Sequence, residues 1–131
     1  MKKLILFAIL TLMLSVAAGT ASAQRATRVH FSRGARSAVV TGYLTGYKGS
    51  KVFLIRVRRG QTMKVEGIGN HAVSTFLEGP PGSNYEQDMA ADCHSQADVD
   101  KTDAGDYKLT VQECTKADRW KGTFKVRITV R

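Results

Sequence analysis

AGDYKLTVQECTKADRWKGTFKVRITVR, residues 104–131, is the stretch that decides the fold. Along its last third Phe124, Val126, Ile128 and Val130 alternate with Lys125, Arg127, Thr129 and Arg131, the period-2 pattern of a strand with one face in a core and one in water. Tyr107, Leu109 and Val111 repeat the pattern one strand earlier. The pair reads as a closing hairpin, yet its connection at residues 113–121 exceeds the usual hairpin loop of about 2 to 5 residues. That connection carries Cys114, Lys116, Asp118, Arg119, Trp120 and Lys121. Such a loop either covers the end of the sheet or presents a surface to a partner.

Upstream, short strands alternate with glycine and polar punctuation, and no segment of useful length has helical period. Residues 27–31, 37–45, 51–58, 62–68 and 73–78 read as strands, with turns at Arg33-Gly34-Ala35-Arg36, Gly46-Tyr47-Lys48-Gly49 and Arg59-Gly60-Gln61. The pair 51–58 and 62–68 predicts a meander. Gly42 interrupts an otherwise β-branched and aromatic run, marking a bulge or a close backbone approach. Gly79-Pro80-Pro81-Gly82 is the strongest breaker, and the polar, acid-rich residues 83–102 read as a long connection holding at most one short strand. About seven or eight strands with turn signals roughly every 8 to 12 residues predict an all-β fold, an antiparallel β-sandwich.

Compartment is read from the N-terminus. Lys2 and Lys3, the apolar run 4–14 and Ala21-Ser22-Ala23 form a secretory signal peptide at residues 1–23, leaving residues 24–131 as a single exported domain, periplasmic or secreted. The run is shorter than the roughly 20 residues of a membrane span, and no later segment supplies one, so no membrane insertion is expected. The chain has 20 basic and 11 acidic residues, and loss of Lys2 and Lys3 takes the formal charge from +9 to +7. That balance keeps a protein soluble and attracts anionic partners, among which export makes nucleic acid the poorest candidate. Cys93 and Cys114, the only cysteines, are expected to form a disulfide in an oxidising compartment, pinning the base of the 113–121 loop to the segment around His94.

No enzyme signature appears: there is no G-x-S-x-G elbow, no P-loop and no H-E-x-x-H. His30, His71 and His94 sit on different predicted elements, so neither a zinc site nor any other cofactor is expected. Asp98, Asp100, Asp103 and Asp106 form an acidic turn that is the best candidate for calcium. It lacks the glycine and closing glutamate of an EF-hand loop, and the plainer reading is a solvated turn. Arg56, Arg58, Lys125 and Arg127 occupy outward strand positions and form a cationic face if their strands are neighbours. Tyr47, on a glycine-flanked turn, and Arg119-Trp120, near the middle of the long loop, have the residue types that dominate binding hot spots. The structural alternatives are that Tyr47 caps the sandwich and Trp120 folds back onto the core.

The run SAVVTGYLTGY at residues 37–47, Gly60-Gln61 before an alternating strand, Leu77-Glu78-Gly79-Pro80, and Ala104-Gly105-Asp106-Tyr107-Lys108-Leu109 with the closing strand resemble the periplasmic inhibitors of goose-type (g-type) lysozyme. The resemblance runs over nearly all of residues 24–131. Related motifs occur in bacterial pre-peptidase C-terminal β-sandwich domains, which leaves a polymer-binding module, with calcium support through Asp98, Asp100 and Asp103, as the alternative. The inhibitor resemblance implies a β-sandwich, not an enzyme, whose partner is a lysozyme. It further implies that Tyr47 and Arg119 belong to the inhibitory surface; Trp120, next to Arg119, joins the expected lysozyme-binding residues by its residue type alone. The chain departs from the family pattern in Thr115, where a further basic residue is expected, and in having Cys93 and Cys114.

Overall fold

A computed structural model describes residues 25–47, 49–69 and 73–131, and within them eight strands build two facing sheets. The strands are β1 (Ala26–Arg28), β2 (Ser37–Leu44), β3 (Ser50–Val57), β4 (Met63–Ile68), β5 (Val73–Glu78), β6 (Gln96–Val99), β7 (Gly105–Glu113) and β8 (Gly122–Val130). One sheet has the order β1-β3-β7-β5 and the other β2-β8-β4-β6. The expected all-β sandwich is therefore the observed architecture, with no helix among the described residues. The leader expected at residues 1–23 and His71 lie outside the described residues.

The alternation in the C-terminal stretch builds the core. Tyr107, Leu109 and Val111 of β7 face Phe124, Val126 and Ile128 of β8, and all six are buried. Each such side chain contributes on the order of 1.5–3 kcal/mol relative to exposure. Phe53 meets Phe124 edge to face with ring centroids 6.2 Å apart, a favoured aromatic geometry. The buried Tyr107 hydroxyl accepts the Asp103 backbone N–H at 3.0 Å, the tyrosine-corner device that ties a strand to the chain just before it.

Two lateral pairings differ from the sequence expectation. β7 and β8 form no hairpin: they are central strands of opposite sheets. The connection is long because it must cross the sandwich, where facing sheets stand about 10 Å apart. β3 and β4 likewise fall in different sheets, so the expected meander does not form. Their turn bonds to Thr102 instead: Gly60 N–H donates to the Thr102 carbonyl at 2.8 Å, and Thr102 N–H donates to the Gln61 carbonyl at 2.7 Å. The cationic face expected from Arg56, Arg58, Lys125 and Arg127 fails for the same reason, since β3 and β8 are not neighbours and Arg127 pairs with Glu66 at 3.6 Å.

The first strand is shorter than expected and pairs parallel with β3, the exception in an otherwise antiparallel fold. Arg28 donates twice to Asp106, at 2.8 and 3.0 Å, joining β1 to β7 across β3. Hydrogen bonding to Arg28 holds the Asp106 carboxyl below the usual carboxylate range. The polar residues 83–102 supply β6 and a strap over the outer edge of β5. Thr75 N–H and Oγ1 both donate to the His94 carbonyl, and Leu77 N–H donates to Gln87 Oε1 at 2.7 Å. Covering this edge blocks strand addition from another chain.

Gly42 marks a close approach. It lies opposite Phe124 in the β2–β8 register, and a Cβ there would sit 2.6 Å from the Phe124 ring. Gly42→Val is expected to displace that ring and destabilise the protein by about 1–3 kcal/mol, as overpacking does. Thermal unfolding of the variant checks this.

Candidate functional site

The register brings together the two loops singled out in the sequence. Leu44 at the end of β2 pairs with Gly122 at the start of β8, and Ser50 at the start of β3 pairs with Gln112 near the end of β7. Loops 45–49 and 114–121 therefore emerge at one end of the sandwich. The first is closed by Gly49 N–H donating to the Gly46 carbonyl at 2.9 Å, with Gly46 at φ +112°, a conformation favouring glycine. That turn projects Tyr47 toward the second loop.

Tyr47 Oη donates to the Ala117 carbonyl at 2.7 Å, and the Arg119 guanidinium carbon lies 5.0 Å from the Tyr47 ring centroid. The hydroxyl fixes the ring, and the ring orients the guanidinium through a cation–π contact worth about 0.5–1 kcal/mol where exposed. Arg119 is exposed and makes no ion pair among the described residues. Its planar fork is thus presented outward, in a form suited to bidentate pairing with a carboxylate. Trp120 is half-buried and packs against the core, so its indole buttresses the loop, and only part of it faces solvent.

Beneath both loops lies Glu113, the last residue of β7 and nearly fully buried. Its Oε1 accepts the Trp120 backbone N–H at 2.8 Å, while its buried Oε2 has no hydrogen-bond partner and lies under Gly46. The next residue, Cys114, is bridged to Cys93 with a Cα–Cα distance of 5.0 Å, so the expected disulfide is present and anchors the loop base. Sequence reasoning missed both the Ala117 carbonyl and Glu113. Only Glu113 had a signal: it continues the parity of Tyr107, Leu109 and Val111 toward the core. Glu113→Gln keeps an oxygen acceptor for the Trp120 N–H in a side chain of the same shape, so it is expected to melt close to the wild-type temperature. Glu113→Leu removes the Oε1 acceptor of the Trp120 N–H and is expected to cost about 1–3 kcal/mol in the same thermal scan.

The other candidate residues do not converge. Asp98 accepts from Gln96 and Asp103 from Ser83, and the described residues contain no group of three or more His, Cys, Asp or Glu placed to hold a metal ion. His94 stands edge-on to Phe76 on the β5 side, while His30 is exposed just beyond β1.

No family model and no curated protein matches the sequence. Among solved structures, the chain is similar to PliG of Aeromonas hydrophila, a periplasmic inhibitor of g-type lysozyme, with a TM-score of 0.62 and 17% identity over 81% of this chain and 96% of that one. PliG of Salmonella Typhimurium gives 0.57 and 22% identity over 83% and 100%. A mutant of Escherichia coli PliG gives 0.58 and 24% identity over the same shares. The chain has the PliG fold. It spans nearly the whole of each inhibitor.

Proposed function

We propose that this chain is an exported, periplasmic protein inhibitor of g-type lysozyme, without catalytic activity of its own. Residues 24–131 act as a single domain after removal of a leader at 1–23, and the domain blocks the muramidase cleft with its loops. The observation that carries this reading is the Tyr47–Arg119 contact, which joins two loops far apart in sequence into one preorganised surface. The PliG fold supports the class of partner.

The chemistry of the target fits. A muramidase cleft presents a catalytic carboxylate and groups that bind sugars. The outward fork of Arg119 pairs with the carboxylate, and the tethered Tyr47 ring occupies a sugar subsite with little conformational entropy left to lose. Purified residues 24–131 at stoichiometric concentration should suppress wall lysis by a goose-type lysozyme, and the protein alone should lyse nothing. Full activity of goose-, chicken- and invertebrate-type lysozymes in its presence would overturn the reading.

A further inference from the structure

We propose that the opposite end of the sandwich holds a binding cleft for a phosphate-bearing ligand. Arg36 immediately precedes β2, Arg56 and Arg58 stand at the end of β3, and Arg131 follows β8, so all four lie away from the Tyr47–Arg119 loops. They line one cleft of about 600 Å³, whose apolar wall includes Phe31, Val57 and Val130. That volume lies within the roughly 300–1,000 Å³ range of small-ligand sites.

Little among the described residues offsets this gathering of like charge beyond the attraction of Arg56 for Asp106, whose ionised carboxyl Arg28 and Arg56 together favour. None of the four arginines makes an ion pair among the described residues, and the nearest cross-strand acid, Asp106 opposite Arg56, is engaged by Arg28. A cleft lined by one sign of charge repels itself but focuses its field on an incoming counter-ion.

The frame beneath the side chains is fixed. Val130 N–H donates to the Arg36 carbonyl at 2.7 Å, and Thr62 and Arg131 exchange backbone hydrogen bonds at 2.9 and 3.0 Å. Arg58 N–H donates to Gln61 Oε1 at 2.8 Å, and its carbonyl accepts from Thr102 Oγ1 at 2.6 Å. The backbone at Arg36, Arg58 and Arg131 is thereby fixed around a common space, from which the exposed side chains reach.

The ligand class follows from donor geometry. A guanidinium offers a planar fork matched to carboxylate or phosphate, and four forks exceed what one carboxylate can accept. A phosphate has the additional oxygens, and the apolar wall then receives the organic group that the phosphate is esterified to. A phospholipid headgroup and a soluble phosphorylated glycan share this chemistry.

The test uses residues 24–131, the variant Arg36→Ala/Arg58→Ala, and a charge-matched control, Lys125→Ala/Arg127→Ala, on β8 away from the cleft. Each is titrated with pyrophosphate by calorimetry and amide NMR, then sedimented with phosphatidylcholine vesicles with and without phosphatidylglycerol. Wild type and control are expected to bind pyrophosphate, with shifts clustered at residues 36, 56–61 and 131. The cleft variant should bind about tenfold weaker or worse, given the charge-assisted bonds it loses. Vesicle binding that requires phosphatidylglycerol and fails in the cleft variant identifies a headgroup ligand, and pyrophosphate binding alone identifies a soluble one. Equal loss in cleft variant and control, or no binding of either probe by wild type, overturns the proposal. Lysozyme inhibition by the cleft variant should be unchanged, so this result stands or falls separately from the inhibitor reading.

Discussion

Tyr47→Ala is expected to weaken binding to g-type lysozyme by roughly 30- to 1,000-fold, the range of a hot-spot residue worth about 2–4 kcal/mol. The substitution removes the ring and also the platform under the Arg119 guanidinium, 5.0 Å away. Arg119→Ala should lose a comparable amount, because no acidic side chain of the described protein competes for its fork. The double variant should lose less than the sum, by at least the roughly 0.5–1 kcal/mol of the cation–π contact. Tyr47→Phe separates the two roles of the tyrosine: the ring stays and the bond to the Ala117 carbonyl goes. It should fall between wild type and Tyr47→Ala. Stability should fall by about 1 kcal/mol in Tyr47→Phe, the net worth of a single hydrogen bond, and by about 2 kcal/mol in Tyr47→Ala, which also loses the half-buried ring and its contact with Arg119. Inhibition constants and melting curves on the same preparations check all of this, and additive losses from Tyr47 and Arg119 would mean that the two side chains act independently.

How much of this was legible beforehand depends on which interaction sets each feature. Alternation at Tyr107, Leu109 and Val111 and at Phe124, Val126 and Ile128 correctly gave the buried faces, because pleat geometry ties parity directly to burial. Lateral neighbours were not legible. Whether β8 lies beside β7 or across from it depends on packing between sheets and on distant bonds such as that from Gly60 to Thr102, and parity is blind to both. The proximity of Tyr47 and Arg119 was equally hidden, since it is set by the pairing of Leu44 with Gly122. The arginine cleft escaped notice for a related reason: its members come from three strand ends that only the folded topology brings together. Glu113 could have been found. An acid at an inward parity position at the end of a strand announces a buried polar group needing a partner, here the Trp120 N–H.

The disulfide carries the second large effect. Cys93 and Cys114 are 21 residues apart, and a bridge closing a loop of that length is expected to contribute roughly 3 kcal/mol through the unfolded chain. Alanine is the appropriate replacement at both positions, because Cys114 is buried and a serine there would add an unsatisfied hydroxyl. For a domain of this size the loss corresponds to a fall in melting temperature of roughly 10–20 °C. The consequence is not uniform over the fold. Cys93 adjoins His94, whose carbonyl holds the edge strand β5 through Thr75, so releasing the bridge loosens the strap as well as the 114–121 loop. Hydrogen exchange should accelerate first at the Thr75 and Leu77 amides, and the uncovered β5 edge should make the variant more prone to self-association. Exchange that rises equally across both sheets would instead mean that the bridge acts only on global stability. Inhibition distinguishes the two local effects: if the bridge preorganises the Arg119 loop, the double-alanine protein binds lysozyme more weakly even well below its melting temperature, because ordering that loop must then be done at the moment of binding.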